Sequence, residues 1–180
     1  MTATASATEL RAMRPAPDEY APYYGTYLGK VADGDIVRTL RDQIGGTVSY
    51  LRSIPASREG HRYAPGKWSI RQVVGHLSDA ERVFAYRALR FARGDSTPLP
   101  GFDENEFMKR SRLDDRTLAS VVDEYAAVRA ASVALFDSLF AEEWSRHGTA
   151  SGKEMSVRAL AWVIAGHELH HLGVLKTRYV

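Results

Sequence analysis

Apolar side chains recur every three or four residues in four long stretches of the 180-residue chain, which is the spacing of an amphipathic α-helix. The predicted helices span residues 35–52, 69–93, 116–140 and 156–176. No segment alternates apolar and polar residues between hairpin signals, as a half-buried β-strand would. The pattern therefore predicts an all-α fold, and a four-helix bundle is its simplest architecture.

Helix-start and helix-stop signals bound the predicted helices. Ser69 and Gln72 have the spacing of a capping box, and Gly94 is typical of the residue just after a helix. Asp114 and Asp115 are the candidate caps of the third helix.

The segments outside these helices are a lead-in and a long connection. We expect residues 1–13 to form a flexible tail and residues 14–33, which contain three prolines, to form an irregular lead-in before the bundle domain at 34–180. The lead-in tyrosines either line a ligand pocket or, as we favour, pack the segment onto the body. They are Tyr20, Tyr23, Tyr24 and Tyr27.

The connection at residues 95–115 joins the second and third helices. A connection of that length is often functional, or crosses between distant helix ends. Its part from 104 to 110 is predicted to form a short helix. We therefore expect a bundle with a long crossover between helices two and three.

Composition narrows the class of protein. The 24 Lys and Arg residues nearly balance the 22 Asp and Glu residues and are scattered along the chain, which argues against nucleic-acid binding. There is no cysteine, so disulfides, thiolate ligands and a cysteine nucleophile are excluded. No segment approaches the roughly 20 apolar residues that span a bilayer, and the first residues do not resemble a secretory signal. We expect a cytoplasmic protein that acts on a small molecule, with neither nucleic acid nor membrane as partner.

Candidate chemistry is concentrated in the pentapeptide H-E-L-H-H at residues 167–171. On a helix His167 and His171 project from the same face and could hold one metal ion together. The five residues also match the H-E-x-x-H signature of zinc peptidases. However, Val174 and Thr177 stand where the longer motif has glycine and histidine, and no His, Asp or Glu follows His171. A peptidase is therefore disfavoured, and any third protein ligand must lie upstream.

Among the upstream histidines, His76 is the one that lies in a strong helical pattern, at the flank of an apolar face. His61 and His147 fall in predicted loops, and His170 points away from the apolar stripe, so all three are expected at the surface or flank. Bundle cores build metal sites from side chains on facing helices. We therefore predict that His76, His167 and His171 bind a divalent ion and leave one coordination position open.

The sequence leaves more than one role possible for each carboxylate near these histidines. Glu81 lies on the apolar face of the second helix and is the candidate catalytic residue, as a proton acceptor, although an extra ligand or a partner of a ligand is an alternative. Glu168 either orients an imidazole or is solvated. Asp103, Glu104 and Asn105 either approach the site or cap the short helix.

Two stretches resemble a known family. Residues 66–81, GKWSIRQVVGHLSDAE, and residues 164–173, IAGHELHHLG, resemble the DinB-like, damage-inducible superfamily, as does the loop at 98–107. The resemblance covers the chain from about residue 35 onwards. It implies a four-helix bundle with a long crossover, a divalent ion such as zinc or nickel on His76, His167 and His171, and frequent homodimers. Many members carry Gln where this chain has Val174, so the branch within the superfamily stays open.

The same resemblance suggests an activity. Characterised members include S-transferases that use bacillithiol or mycothiol and a mycothiol-dependent isomerase. It thus implies a metal-dependent enzyme that activates a low-molecular-weight thiol, with a hydrolase that activates water as the close variant. The alternative is a non-catalytic, metal-binding dimeric bundle with a structural or stress-related role. An open coordination position would favour the enzyme, whereas a fourth protein ligand would favour the structural role.

Overall fold

The structure, a computed structural model, describes residues 5–179. Within that range the chain is mostly helical, as predicted, and none of its helices has the length and apolar character needed to cross a membrane. The α-helices are α1 (Ala7–Ala12), α2 (Gly25–Leu28), α3 (Ile36–Arg52), α4 (Ile70–Ala92), α5 (Glu104–Arg110), α6 (Leu118–Asp137), α7 (Ala141–Trp144) and α8 (Val157–Arg178). The strands are β1 (His147–Ala150) and β2 (Lys153–Ser156).

The four long helices, α3, α4, α6 and α8, form the predicted bundle, and their bounds differ from the predicted ones by only a few residues. Helix α4 packs against α6 and α8, and α3 packs against the same two helices. The consecutive helices α3 and α4 therefore occupy opposite corners of the bundle rather than forming a helical hairpin.

Helix α4 begins where α8 ends, since the hydroxyl of Tyr179 donates to the carbonyl oxygen of Trp68 at 2.8 Å. The two helices pack along their lengths and start at opposite ends, so they run antiparallel. The first turns of α4 consequently face the last turns of α8. This arrangement places His76 opposite His167 and His171.

The predicted signals at the two ends of α4 are confirmed. The hydroxyl of Ser69 accepts from the backbone N–H of Gln72 at 3.2 Å, and the Gln72 side chain accepts from the backbone N–H of Ser69 at 3.0 Å. Gly94 follows the helix with a φ of 75°, a conformation that glycine adopts without strain. The start of α4, and with it the position of His76, is thus fixed by local sequence.

The predicted cap of α6 is wrong. Thr117, not Asp114 or Asp115, caps this helix by accepting from the backbone N–H of Ser120 at 3.2 Å. Asp114 instead accepts from the Ser69 hydroxyl at 2.6 Å, which ties the connection to the start of α4. The predicted short helix in this connection is present as α5.

A small two-stranded sheet accompanies the predicted all-α bundle, although the sequence showed no sustained strand pattern. Strands β1 and β2 pair antiparallel through a two-residue turn at Ser151 and Gly152, whose φ angles are 53° and 72°. The crossover segment docks onto this hairpin, because the backbone N–H of Leu99 donates to the Thr149 carbonyl at 2.9 Å and that of Ser151 donates to the Leu99 carbonyl at 3.0 Å. The hairpin therefore holds the crossover in place.

The predicted flexible tail is corrected over its described part, while residues 1–4 lie outside the described range. Helix α1 has a capping box formed by Ser6 and Glu9. Leu10 is buried in the core, and Arg11 pairs with Asp137 at the end of α6, with a distance of 3.0 Å. This part of the chain is packed onto the bundle.

The lead-in covers one side of α8. Helix α2 packs against α8 so closely that a Cβ on Gly166 would lie 2.2 Å from the carbonyl oxygen of Tyr27. Arg14 holds the lead-in together by donating to the carbonyls of Leu28 and Val31 at 2.8 and 2.7 Å. As a result α8 is buried on all sides from residue 159 to residue 168.

Candidate metal centre

Three imidazoles meet between α4 and α8. The Nε2 atom of His167 lies 3.1 Å from that of His76 and 3.1 Å from that of His171. All three potential ligand atoms lie within 4.8 Å of one another. Nitrogen ligands at ~2.0–2.1 Å from a tetrahedral ion are about 3.3 Å apart, so one ion fits this spacing. The structure brings together the three histidines that the sequence singled out.

Burial keeps these imidazoles neutral. It lowers the pKa of His76 to about 4, and burial followed by repulsion from neighbouring histidines lowers that of His171 to about 3. The pKa of His167 is also well below its ordinary value, first because of burial and then because of the other imidazoles. A neutral imidazole has the free lone pair that a metal requires. The donor set is therefore in its metal-binding form near neutral pH.

The three histidines leave one side open. Within residues 5–179, no Asp, Glu or further His joins them as a fourth ligand atom. Their open side faces a cavity of about 320 Å³. This combination is typical of a catalytic rather than a purely structural ion.

Six aromatic side chains form part of the cavity wall. The Trp68 ring lies 4.8 Å from that of His76, and the Tyr27 ring meets that of His167 edge-on at 5.3 Å. The other aromatic lining residues are Tyr23, Tyr24, Phe84 and Phe102. Three of the four lead-in tyrosines, Tyr23, Tyr24 and Tyr27, line the cavity, as in the pocket alternative. Tyr20, Tyr24 and Tyr27 also pack in or on the core, as in the interpretation that we favoured.

The lead-in also supplies polar atoms. The hydroxyls of Tyr23 and Tyr27 are 2.7 Å apart, and burial raises the pKa of Tyr27 well above its ordinary range. A neutral phenol donates a hydrogen bond, so the pair offers hydrogen-bonding groups beside the imidazoles.

Glu81 and Glu168 lie behind the histidines rather than in the cavity. Both oxygens of Glu81 accept from Arg129 of α6, at 2.8 and 3.0 Å. Glu168 lies 2.6 Å from the same guanidinium and accepts from the hydroxyl of Thr47 on α3. Glu168 is only 1% exposed, so the solvated alternative is wrong. The catalytic role predicted for Glu81 gains no support from these contacts, because both of its oxygens are engaged.

Glu81, Glu168 and Arg129 form a buried cluster. Two carboxylates share one guanidinium, and all three side chains are at most 3% exposed. This cluster joins α4, α6 and α8 close to the start of the H-E-L-H-H stretch, because Glu81 lies on α4, Arg129 on α6 and Glu168 on α8.

The linker residues divide between the two roles that the sequence left open. Asp103 caps α5 by accepting from the backbone N–H of Asn105 at 2.8 Å and that of Glu106 at 3.1 Å. Glu104 lines the cavity together with the histidines, whereas Asn105 lines a neighbouring pocket that includes His170 and His171. Glu104 is therefore the carboxylate nearest to the open side of the site.

The remaining histidines lie at the edge of the cavity or outside it. His170 is half-buried and lines the cavity, with its ring 5.3 Å from that of Tyr27, so it is more than a surface residue. His147 is exposed, as expected, although on β1 rather than in a loop. His61 is half-buried, with its ring 6.1 Å from that of Tyr179.

Arg87 is the cavity residue that sequence reasoning missed. It is 2% exposed and lines the cavity from the far end of α4. The sequence did contain a sign that Arg87 faces the cavity. His76, Ala80, Phe84 and Arg87 follow one another at spacings of three or four residues and so share one face of the helix.

Comparison with known proteins agrees with this geometry. A protein of Oceanobacillus iheyensis, provisionally named a metal-dependent hydrolase, is 27% identical over 144 residues, which cover 78% of this chain and 79% of that protein. YfiT from Bacillus subtilis, described as a probable metal-dependent hydrolase with an unusual four-helix bundle topology, superposes with a TM-score of 0.68 at 14% identity. That match covers 93% of this chain and 94% of YfiT, and at this identity it shows a shared fold.

A second solved structure shares the bundle. The mycothiol-dependent maleylpyruvate isomerase superposes with a TM-score of 0.64 at 13% identity, over 76% of this chain but only 58% of the isomerase. The family model of the DinB superfamily matches residues 39–175, which include α4, the crossover and the histidines of α8. The chain therefore belongs to the DinB superfamily.

Proposed function

We propose that the protein is a divalent-metal-dependent enzyme in which His76, His167 and His171 hold the ion and the aromatic cavity binds a small-molecule substrate. The observation that carries this proposal is the convergence of three neutral Nε2 atoms on the floor of an open cavity. A bound ion would supply a Lewis acid that lowers the pKa of water or of a low-molecular-weight thiol, which makes either a nucleophile near neutral pH.

The side chains around the ion each have a task in this proposal. The Tyr27 and Phe84 rings pack edge-on against His167 and restrict its orientation. Arg129 holds Glu81 and Glu168, which fixes the facing turns of α4 and α8 relative to each other.

Elemental analysis tests the metal claim. The purified protein should contain about one divalent ion per chain, with zinc or nickel expected because imidazole suits both. His76→Ala, His167→Ala and His171→Ala should each lose most of it. His147→Ala, which removes an exposed histidine away from the cavity, is the matched control and should keep the wild-type content. Equal metal in all five proteins would refute the assignment.

Glu104 is the proposed proton acceptor, in place of Glu81. It lines the cavity, whereas Glu81 is engaged by Arg129. Removal of a general base typically costs about 10²–10⁴-fold in rate. Glu104→Gln should therefore lower turnover by that amount with unchanged metal content, and the exposed Glu106→Gln should not.

The activity itself is measured with both nucleophiles. Metal-loaded protein is assayed for hydrolysis of nitrophenyl esters and for conjugation of bacillithiol or mycothiol to chlorodinitrobenzene. Turnover that disappears with chelator and in His171→Ala supports the enzyme. If a metal-loaded protein shows neither reaction above its chelated form, the non-catalytic metal-binding bundle is the better account.

A homodimer and a cytoplasmic location remain part of the proposal. Two-fold dimers are the commonest oligomers of soluble proteins. Light scattering after size exclusion should give twice the 20.0 kDa mass of the chain, and a monomer at micromolar concentration would contradict the dimer.

A further inference from the structure

Arg87 is a buried cation without a buried anion. Its side chain is 2% exposed, yet no carboxylate of residues 5–179 lies within ion-pair distance of its guanidinium. Arg129, the other fully buried arginine of the bundle core, contacts two carboxylates. An unpaired charge in a protein interior is costly unless another partner arrives. Arg87 is thus prepared for an anion that comes from outside the chain.

Protein contacts fix the guanidinium but leave part of it free. Its Nη2 atom donates to the carbonyl of Pro100 at 3.0 Å and to the Ser151 hydroxyl at 2.9 Å. The rings of Phe84 and Phe102 flank it at 5.9 and 6.0 Å. The Tyr24 hydroxyl also lies close to the guanidinium. The Nε and Nη1 atoms of Arg87 make no hydrogen bond to a carboxylate or carbonyl of the described residues, and such a fork suits a carboxylate or a phosphate. Arg87 on α4 is thus held in one orientation by Pro100 of the crossover and Ser151 of the hairpin.

The guanidinium and the metal centre share one cavity. The Phe84 ring lies between them, with its centroid 6.0 Å from that of His167 and 5.9 Å from the Cζ atom of Arg87. A molecule of small-metabolite size that fills the cavity of about 320 Å³ therefore reaches both groups.

We infer that the substrate carries a carboxylate, which Arg87 binds, and an apolar body that lies along the aromatic wall towards the histidines. This inference rests on the proposed function, whose substrate class it specifies. Arg87 is the sole Lys or Arg among the residues that line the cavity. In the metal-free cavity one guanidinium balances the single charge of a carboxylate, whereas a phosphate monoester carries nearly two charges at neutral pH.

Exposed Glu104 at the cavity's edge fits the same assignment. The Glu104 carboxylate repels an anionic ligand, and it repels a doubly charged phosphate more strongly than a singly charged carboxylate. The apolar body is indicated by the faces of the six aromatic rings in the wall, which offer stacking and edge contacts beside the hydroxyls of Tyr23, Tyr24 and Tyr27.

Calorimetric titration of the chelator-treated protein tests the inference, with benzoate as probe, benzyl alcohol as its neutral counterpart and phenyl phosphate as the other anion. Without an ion, Arg87 is the cationic side chain that remains in the cavity. Benzoate should bind at least tenfold more tightly than benzyl alcohol, and more tightly than phenyl phosphate. Equal binding of benzoate and benzyl alcohol overturns the inference, and tighter, Arg87-dependent binding of phenyl phosphate replaces the carboxylate by a phosphate.

Variants assign the binding to Arg87. Arg87→Gln should weaken benzoate binding about tenfold or more and leave benzyl alcohol binding unchanged, since a hydrogen bond to a charged group is lost. Arg90→Gln removes an arginine of the same helix that pairs with Asp95 outside the cavity, and it should bind benzoate as the wild type does. If Arg87→Gln unfolds, Arg87→Lys keeps the charge but loses the fork and should bind benzoate with intermediate affinity. Wild-type benzoate affinity in a folded Arg87→Gln protein would refute the assignment.

The metal-dependent function and the carboxylate site at Arg87 are tested by separate measurements, so either can be refuted while the other stands. Elemental analysis measures the ion at the histidines, and the titration measures the anion at Arg87 in the absence of an ion. A protein that binds no metal but binds benzoate through Arg87 would refute the metal-dependent enzyme and leave the carboxylate site intact.

Discussion

At the scale of single residues, the imidazoles of the metal centre are neutral because the fold buries them. The pKa of His76 is about 4 in the folded protein and about 6.5 when the chain is unfolded. Between these values the unfolded chain binds a proton that the folded chain does not. The free energy of unfolding of the metal-free protein therefore falls as the pH is lowered through this window.

The expected loss is measurable. From the shift at His76 alone, the free energy of unfolding of the chelated protein should fall by about 3 kcal/mol between pH 7 and pH 4. Urea unfolding at a series of pH values gives this slope. His76→Leu should have a shallower slope than the wild type, and exposed His147→Ala should keep the wild-type slope. Identical slopes in the wild type and His76→Leu would contradict the buried, neutral state of His76.

Individual site residues were predictable to different degrees. The pair on α8 follows from its spacing, and His76 follows from its phase on a helix whose start is capped by Ser69. The partner of Glu81 did not follow, because it is an arginine on α6 whose direction depends on how the helices pack. The periodicity of a helix shows which of its faces is buried, but it does not show which distant helix contacts that face.

At the scale of elements, the close contact between α2 and α8 depends on Gly166. Gly166→Ala would place a methyl group 2.2 Å from the Tyr27 carbonyl, so α2 must move away from the cavity. We expect a loss of roughly 1–3 kcal/mol in the free energy of unfolding, as for overpacked cores. Gly173→Ala on the same helix meets nothing within 4 Å and should stabilise the protein by up to ~1 kcal/mol. Equal effects of the two substitutions in urea unfolding would contradict this packing.

Elements with strong local signals were predicted, and those without them were not. The long helices have both periodicity and caps, so their bounds were nearly correct. The hairpin has strands of only four residues each, which are too short for a reliable alternation. Its Ser151-Gly152 turn was the available signal, but it is weaker than the Asn-Gly pair of common hairpins.

At the scale of the whole molecule, residues 5–33 form part of the bundle's wall. They bury Leu10, Tyr27, Leu28 and Val31 in the main core. Removal of residues 1–33 should lower the free energy of unfolding by on the order of 5 kcal/mol or more, since each large apolar side chain contributes ~1.5–3 kcal/mol when buried. Urea unfolding and binding of a hydrophobic dye measure the effect. A fragment 34–180 as stable as the full chain would show that the bundle is a self-sufficient domain.

The architecture was predictable as a class but not as a topology. Periodicity shows that each of the four helices has an apolar face, and it does not show which helices are neighbours. The placement of α3 and α4 at opposite corners follows from their contacts with α6 and α8, which come much later in the chain. The three histidines and Arg87 lie at such long-range contacts, since His76 meets His167 on α8 and Arg87 meets Ser151 of the hairpin.

The diagonal placement of α3 and α4 has a consequence for the order of folding during synthesis. Because these two helices do not pack together, the growing chain cannot form an early hairpin from them, and α6 must emerge before either has a neighbour. The groove between α3 and α4 stays open until α8 emerges, because α8 packs against both helices. His167 on α8 meets His76 on α4, which lies 91 positions earlier in the chain. Such a dependence on distant contacts slows folding. The cluster of three histidines therefore forms only at the last assembly step, when α8 closes the groove.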